Sequence, residues 1–390
     1  LEPASPFRGM AMGGTGIAMR DKSSLYFSNP ASYSSLDTNS FVFDFGLDFS
    51  YNVITGSNGT YKSDDMNFDH LIIGFPVARN FGFAFGIVPY SNGYYNLYQT
   101  VLEGDPGYDE TTGEYSTYHQ GSGNLSNFFV GSGINITKNI AVGANMTIMS
   151  GKIERANQFV FSKYTNGFST NIYEKFELRG INFDLGMQYM ANLKKDYFLV
   201  AGASLSSRKS YKSISENGIL MVSGYSAIDT LSYTKDSQTK ATIPFSLKLG
   251  ISAGKKNKFV AGLDYLATKW TNARIPGASG YLADSKNINL GIEFIPDKFS
   301  NYSYLNRIEY RIGAHYADNY LVINGKQIRE LGVSAGLGLS MRRSPSKTNL
   351  FFDLTRKDGP ANSGFKYENY YTLGVSLNLW DGLWFMQRKY

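Results

Sequence analysis

The fold is decided by residues 41–51, Phe41-Val-Phe-Asp-Phe-Gly-Leu-Asp-Phe-Ser-Tyr51, in which a large apolar side chain occupies every odd position. This period of two indicates an extended strand with one apolar face and one face of small or acidic residues, including Asp44 and Asp48. In a soluble sandwich the apolar face packs on a second sheet, whereas in a membrane barrel it faces lipid. The rest of the chain distinguishes these two environments.

The composition favours a β-rich protein and excludes several other classes. Aromatic residues make up 15% of the 390 residues, and the 41 Gly are typical of a turn-rich chain. The mean hydropathy of -0.26 is too polar for a bundle of membrane helices. The absence of cysteine excludes a disulfide framework, a thiolate metal site and a lipid-modified N-terminal cysteine. The net charge of +6 is spread along the chain, so nucleic acid is not an expected partner.

The same alternation recurs and predicts fourteen strands. They cover residues 41–51, 71–77, 81–87, 125–137, 140–153, 176–190, 197–207, 242–253, 259–270, 287–294, 305–316, 328–341, 349–356 and 369–380. Connections after even-numbered strands are short, whereas those after odd-numbered strands are mostly long. Outer-membrane barrels combine short periplasmic turns with long extracellular loops in this way.

We therefore predict an all-β fold, a 14-stranded antiparallel transmembrane β-barrel with both chain ends in the periplasm. The sequence opens without a secretory signal peptide, which fits a processed, exported chain better than one that was never exported. A soluble or fibrous β protein is the alternative to the barrel.

The inward phase of the predicted barrel carries charged side chains, which require partners or water when buried. The expected lumen charges are Asp44, Asp48, Asp264, Arg307, Glu309, Arg311 and Glu330. Residues 1–38 lack the alternation, are rich in Gly, Ser and Met, and carry Arg8, Arg20 and Lys22. Our hypothesis is that residues 1–38 fold into the lumen of a barrel formed by residues 39–390, with some of these cations paired to inward carboxylates. The alternative is a disordered periplasmic tail.

The N-terminal region resembles a known family. Residues 8–18 (RGMAMGGTGIA) and 26–32 (YFSNPAS) are similar to the hatch of the FadL/TodX family of outer-membrane transporters of long-chain fatty acids and hydrocarbons. Supporting similarities occur in residues 121–131, in residues 243–252, in Asp264-Tyr265 with Trp270, and in the closing segment with Trp384-Phe385 and Lys389-Tyr390.

The resemblance implies an N-terminal hatch, here including Gly13, Gly14, Asn29 and Pro30, inside a barrel of a Gram-negative outer membrane. It also implies passive transport of small hydrophobic or amphipathic molecules, which the family captures on the extracellular side and releases sideways at a kink in the third strand. Pro89 and Gly93 are the candidates for that lateral gate, because proline cannot donate to the ladder and pairing with a neighbouring strand is expected to fail there. The alternative for Pro89 is that it ends the strand at the membrane surface.

Apolar residues in predicted extracellular loops are candidates for ligand capture, because exposed apolar patches usually mark a ligand or a partner. The candidate ligand-binding residues are Tyr94, Tyr95, Phe159, Phe161, Ile219, Leu220, Met221 and Val222. Some of the tyrosines between the third and fourth predicted strands belong instead to the aromatic girdle that any barrel needs.

A charged lumen is a poor path for a fatty chain, so a function other than transport has to be considered. This alternative is a non-transporting accessory subunit of a larger outer-membrane complex, such as the barrel-assembly machinery or type 9 secretion. The expected partners are membrane lipids, a hydrophobic small molecule and other outer-membrane proteins that contact the extracellular loops or periplasmic turns.

Neither catalysis nor a cofactor is predicted. His70, His119 and His315 are far apart in sequence and not at metal-ligand spacing. Residues 332–336 (GVSAG) match a nucleophile-elbow pattern but alternate straight through a strand. The glycine cluster at 13–16 lacks the strand, helix and acidic residue of a dinucleotide site. A Ser-His hydrolase on a barrel stays an alternative, because spatial neighbours are invisible in a sequence.

Overall fold

The computed structural model describes residues 5–56, 59–105, 107–161, 168–223, 226–236, 240–275, 282–341, 344–360 and 365–382. The closing segment with Trp384-Phe385 and Lys389-Tyr390, which resembles the FadL/TodX family, lies outside these residues. The described strands are β1 (Phe41–Gly56), β2 (Gly59–Ala78), β3 (Phe81–Asn92), β4 (Tyr95–Val101), β5 (Tyr115–Asn135), β6 (Ile140–Phe161), β7 (Phe168–Asn192), β8 (Tyr197–Ser206), β9 (Lys209–Ser223), β10 (Ser226–Asp236), β11 (Lys240–Ile243), β12 (Ser246–Lys255), β13 (Phe259–Thr268), β14 (Ser285–Phe294), β15 (Glu309–Ile323), β16 (Lys326–Ser340), β17 (Lys347–Asp358) and β18 (Phe365–Asp381).

These strands form one closed antiparallel barrel. The sheet closes because β1 pairs with β18 along its whole length, from Phe41 opposite Asp381 to Gly56 opposite Phe365. Three barrel strands are interrupted, since β3 continues as β4, β8 continues as β9, and β10, β11 and β12 follow one another along the same neighbours. The barrel therefore has fourteen strands, as predicted from the sequence.

The helices of the described chain are short. They are α1 (Phe7–Met10) and the 3-10 helices Pro30–Ser35, Lys194–Asp196, Trp270–Asn272 and Leu305–Arg307. Among the described residues, no helix has the length and apolarity needed to cross a membrane.

The barrel wall is apolar outside and polar inside, the reverse of a soluble protein. In β14, Ile288, Leu290 and Ile292 are each about half exposed on the outer face, while Gly291 and Glu293 between and beside them are buried on the inner face. A lipid-facing band and a polar lumen require this alternation.

Several strands extend further than the sequence predicted. Residues 59–65 belong to β2 and residues 154–161 to β6, although both stretches were assigned to long loops. The alternation of apolar residues reports contact with lipid, and it disappears once a strand rises above the bilayer. Backbone pairing continues there because the ladder still satisfies the peptide groups.

A row of small residues crosses the inner wall where the N-terminal residues pack against it. Ser252, Gly262, Gly291, Gly313 and Ser334 lie opposite one another on five successive strands from β12 to β16. Ser252 Oγ donates to Ala18 O at 2.7 Å, and Ser334 Oγ accepts from Gly13 N at 2.8 Å. The missing side chains of the glycines allow the backbone of residues 12–18 to lie directly on the wall.

This row generates a stability prediction. A Cβ at Gly291 would overlap the carbonyl of Met12, whereas a Cβ at Gly262 would meet Thr15 at an ordinary 3.5 Å. We expect Gly291→Ala to lower the free energy of unfolding by about 1–3 kcal/mol, the usual cost of overpacking. The measurement is urea unfolding in detergent micelles, with Gly262→Ala as the matched control. Equal stability of the two variants would contradict the close contact.

Candidate functional site: the barrel lumen

The described N-terminal residues 5–36, called here the N-terminal segment, are enclosed by the barrel wall. Most of them are buried, and they contact inward-facing side chains on strands around the whole circumference. Gly13 and Gly14 adopt the positive φ angles +69° and +89°, which favour glycine, and this turn brings Gly13 against Ala314 of the wall.

Asn29 fixes the second half of the N-terminal segment. Its Oδ1 accepts from Ala31 N at 3.2 Å, which caps the 3-10 helix that begins at Pro30. Its Nδ2 donates to Ile17 O at 2.8 Å and lies 3.3 Å from the carbonyl oxygens of Met187 and Ala203 in the wall. One amide thus joins both halves of the segment to β7 and β8.

Wall side chains also bind the peptide groups of the N-terminal segment. Asp264 Oδ2 accepts from Gly16 N at 2.7 Å and Ile17 N at 3.0 Å. Gln188 Nε2 donates to Ile17 O at 2.9 Å and Met19 O at 3.2 Å. The segment has little regular secondary structure, and its backbone bonds are completed by the wall.

A buried chain of charges joins the segment to three strands, and we call it the ion chain: Asp21, Arg8, Glu293, Arg311, Glu309 and Lys347. Arg8 binds Glu293 with two nitrogens, at 2.9 Å from Nε and 2.7 Å from Nη2, and its Nη1 donates to Asp21 at 2.6 Å. Three cations face three carboxylates, so the cluster is neutral.

The wall half of the ion chain is continuous. Arg311 Nε donates to Glu293 Oε2 at 2.7 Å, and its Nη2 donates to Glu309. Lys347 Nζ lies 3.1 Å from Glu309 Oε1. Arg311 Nη1 donates to Asn349 Oδ1 at 2.8 Å, which satisfies a further donor. The charges are buried together because each one is matched by an opposite charge or a hydrogen bond.

Asp21 is held in its charged form by this arrangement. Burial alone would raise the pKa of the Asp21 carboxyl, but the charges of Arg8 and Lys347 outweigh it and hold that pKa well below its ordinary value. Asp21 was not predicted from the sequence, because a carboxylate in an irregular segment carries no periodic signal.

Arg20 is held differently. Its four hydrogen bonds go to neutral oxygens, including Gln188 Oε1 at 2.9 Å and Asn135 Oδ1 at 3.2 Å. Burial lowers the pKa of its guanidinium to about 10, which leaves it charged at neutral pH. Lys22 pairs with Asp37 at 3.6 Å on a largely exposed surface.

The predicted lumen charges have different environments. Asp44 Oδ2 accepts from Asn378 at 3.0 Å, and Asp44 Oδ1 lies 3.1 Å from His70 Nε2. His70 in turn packs edge-on against the Phe7 ring, which links Asp44 to the N-terminal segment through His70. Asp48 and Glu330 line the lumen cavity described next.

The prediction that Arg307 lines the lumen from a strand was wrong. Arg307 was assigned to the inner face of a strand beginning at residue 305, but β15 begins at Glu309, and Arg307 ends the 3-10 helix Leu305–Arg307. Its guanidinium lies over the Tyr304 ring, 5.1 Å from the centroid. A turn residue can continue the two-residue phase by chance, and the sequence cannot separate this case from a longer strand.

A cavity of about 710 Å³ lies between the N-terminal segment and the wall. Its acidic lining side chains outnumber its lysines. The charged residues are Asp48, Asp69, Asp184, Asp264, Glu330, Asp353, Lys248 and Lys357, and His315 also lines it. An excess of carboxylates disfavours a bound anion.

The wall beside this cavity is not fully paired. Among the described residues, the ladder between β2 and β3 ends at Leu71 opposite Ile87, so residues 59–70 pair with β1 only. Pro89 lies inside β3 and pairs with Ser126 of β5. It therefore does not end the strand, and the lack of an N–H at Pro89 is consistent with the unpaired edge.

Side chains bridge the opening between β2 and β3. Asn92 Nδ2 donates to Asp65 Oδ2 at 3.1 Å and to Asn67 Oδ1 at 3.0 Å. Gly93 follows in the break between β3 and β4, where its N–H donates to Gly123 O at 3.0 Å. The cavity reaches this opening from both sides, since Asn67, Asp69, Val88, Pro89 and Tyr90 line it.

A second pocket of about 500 Å³ lies at the end of the barrel with the longer strands. It brings together three of the predicted ligand-binding residues, Tyr94, Tyr95 and Leu220, with polar residues such as Glu154 and Arg155. The pocket is more polar than the predicted apolar patch.

The other candidate ligand-binding residues are not in loops. Ile219, Met221 and Val222 belong to β9, and Phe159 and Phe161 belong to β6. Val222 is buried, and the Phe161 ring packs on Tyr115 at a centroid distance of 5.8 Å. The assignment of these stretches to loops was wrong, because strand pairing extends beyond the apolar belt. Among the described residues, no group of three or more His, Asp or Glu side chains could hold a metal ion.

Comparison with known proteins places the chain among barrels of the same architecture. A model of the BamG family matches residues 5–390. A Pseudomonas aeruginosa FadL homologue matches with a TM-score of 0.64 and 11% identity, covering 97% of this chain and 98% of that one. The CymD monoaromatic hydrocarbon channel matches with a TM-score of 0.61 and 14% identity, covering 96% and 97%.

A further structural match is the Ralstonia pickettii toluene transporter TbuX, with a TM-score of 0.58, 15% identity and 97% coverage of both chains. No curated protein matches the sequence. At these identities, the structural matches establish a FadL-type barrel fold.

The ion chain generates the second prediction. Glu293→Gln leaves Arg8 and Arg311 without their shared carboxylate, and breaking a buried pair typically costs about 3–5 kcal/mol. We expect a loss of this size in urea unfolding. The control is Asp358→Asn, which breaks the half-exposed Arg356–Asp358 pair and should cost about 1 kcal/mol or less. Comparable losses in both variants would contradict a structural role for the ion chain.

Proposed function

The chain belongs to the BamG family, and we propose that it serves as a non-transporting barrel subunit of an outer-membrane protein complex, with the barrel-assembly machinery as the first candidate. In this proposal the barrel lies in the outer membrane of a Gram-negative bacterium, with its short turns and chain ends in the periplasm. Residues 1–38 then act as a fixed hatch domain within the barrel of residues 39–390.

The observation that carries this proposal is the ion chain between the N-terminal segment and the wall. A path past Arg8 would have to separate it from both Glu293 and Asp21. A cost of about 3–5 kcal/mol for one buried pair lowers the population of an open state by a factor on the order of 10² to 10⁴. A passive pore that runs past Arg8 would have to work from that minor state, whereas a structural subunit needs no opening.

The lumen cavity supports the same proposal. Its excess of carboxylates would repel the head group of a fatty acid. The apolar surface of the molecule lies on the outside of the barrel, where it can meet lipid or another membrane protein.

The test is extraction from the native membrane in mild detergent, followed by native mass spectrometry. We expect a stoichiometric protein partner to remain bound to the wild-type barrel, and to remain bound in Glu293→Gln at a temperature where that variant stays folded. Recovery of a lone barrel under conditions that preserve known outer-membrane complexes would overturn the proposal.

Passage of a small hydrophobic or amphipathic molecule is a second candidate, supported by the opening between β2 and β3. The cavity reaches that opening, where side-chain hydrogen bonds join Asn92 to Asp65 and Asn67. A molecule that enters from the end of the barrel opposite the ion chain could leave through this side of the wall without crossing the ion chain.

The chain has no native cysteine, which allows a direct test of this candidate. In Asp65→Cys/Asn92→Cys, a short bifunctional maleimide should close the opening and lower uptake of a fluorescent fatty acid into proteoliposomes at least about tenfold. The matched control is Asn52→Cys/Ser63→Cys, which bridges residues that already pair between β1 and β2. Unchanged uptake after cross-linking across the opening would rule out passage by this route.

A further inference from the structure

Three neighbouring turns form a continuous surface at the short-turn end of the barrel. They are residues 193–196 between β7 and β8, 256–258 between β12 and β13, and 295–308 between β14 and β15. Lys256 N donates to Asp196 O at 3.1 Å, and Ile295 N donates to Lys258 O at 2.7 Å. We call these turns, with the adjoining Lys255, the basic turn surface.

The basic turn surface carries a strong excess of positive charge. Its cations are Lys194, Lys195, Lys255, Lys256, Lys258, Lys298 and Arg307, and its carboxylates are Asp196 and Asp297. Within the described part of the chain, none of these seven cations lies within ion-pair distance of a carboxylate. A partner with negative charge could therefore bind them without breaking an ion pair.

Exposed aromatic and apolar residues project from the same surface. Tyr302 is fully exposed and Phe299 is 72% exposed, and Tyr304 and Leu305 follow them in the turn. These residues lie beyond the aromatic residues at the strand ends, which are Tyr197, Phe259, Phe294 and Tyr310.

The turn that carries these residues is ordered by its own hydrogen bonds. Asp297 N donates to Asn306 O at 2.7 Å across its base, and Ser300 N donates to Asp297 O at 3.2 Å. Tyr310 Oη donates to Leu305 O at 3.1 Å. A turn held in one conformation loses less entropy on binding than a flexible loop, which favours its use as a contact surface.

We propose that the basic turn surface docks an acidic surface of a partner protein in the periplasm, with Tyr302 and Phe299 as apolar anchors and the lysines as the charged rim. Exposed aromatic residues inside a polar, charged rim match the usual arrangement of protein contact sites, in which Tyr and Phe are enriched at the core and the rim is polar. Lipid head groups would satisfy the lysines but give no reason for an ordered turn that carries Tyr302 eight residues beyond the end of β14. This inference rests on the proposed function and specifies its partner.

The experiment places a photoreactive benzoylphenylalanine at Tyr302 of the full-length protein in cells. The matched position is Tyr233, an exposed tyrosine of β10 at the opposite end of the barrel. We expect a protein adduct at position 302 that is absent at 233, and we expect the cross-linked peptide, sequenced by mass spectrometry, to carry net negative charge.

Charge variants test the contribution of the lysines to docking. Lys194→Gln/Lys195→Gln/Lys256→Gln should lower the adduct yield at position 302 at least about threefold, because rim charges contribute to encounter and affinity. Lys62→Gln/Lys212→Gln/Lys240→Gln, three exposed lysines at the opposite end, should leave the yield unchanged. Both variants should keep the unfolding midpoint of the parent.

The outcomes separate this inference from the proposed function. Adducts to phospholipid alone, no adduct above the Tyr233 level, or a protein adduct unaffected by the lysine substitutions would each overturn the docking inference. If native mass spectrometry still finds a stoichiometric partner, the proposed function stands without it. If the barrel is recovered alone and position 302 gives no protein adduct, both fall.

Discussion

The pairing of Arg8 with Glu293 is the interaction on which the interior of this barrel depends. Glu293 and Arg311 face inward from strands whose outer faces must be apolar, so their charges have to be matched inside the lumen. The wall alone contributes two cations and two carboxylates to the ion chain, and the N-terminal segment adds one of each, Arg8 and Asp21. The segment can therefore enter without changing the net charge of the interior, and once it is in place the separation of Arg8 from Glu293 would leave buried charges unmatched.

The lack of regular structure in the N-terminal segment follows from the same constraint. A helix would satisfy its own peptide groups but would present side chains, rather than backbone, to the wall. Glycines at positions 291 and 313 instead admit the chain so closely that Asp264 and Ser334 reach peptide N–H groups directly. The wall thus supplies the hydrogen bonds that secondary structure supplies elsewhere.

The barrel strands, whose outer faces must be apolar to meet lipid, could be predicted from the sequence. The partners of the buried charges could not. Alternation such as that of Phe41–Tyr51 located all fourteen barrel strands, because each must present apolar residues to the bilayer for several positions. The alternation does not mark β9 or the outer half of β2, where no lipid is present to select apolar residues. It also misplaced Arg307, a turn residue that happens to continue the two-residue alternation of the following strand. The inward phase identified Glu309 and Arg311 as lumen residues. Their partners could not be deduced, because Asp21 lies in a segment without periodicity and Lys347 is separated from Glu309 by 38 residues.

The ion chain and the basic turn surface are connected through the covalent chain. Glu293 lies two residues before the turn 295–308, and Glu309 follows immediately after it, so the turn joins two carboxylates of the ion chain. Its base is closed by the bond between Asp297 and Asn306, which fixes the spacing of the strand ends that carry those carboxylates. A partner that holds this turn also restricts the positions of Glu293 and Glu309, and with them the site that receives Arg8. The short-turn end of the barrel is therefore where an external contact has its most direct physical route to the enclosed segment, while the opening between β2 and β3 lies on the far side of the lumen cavity, beyond the reach of that restraint.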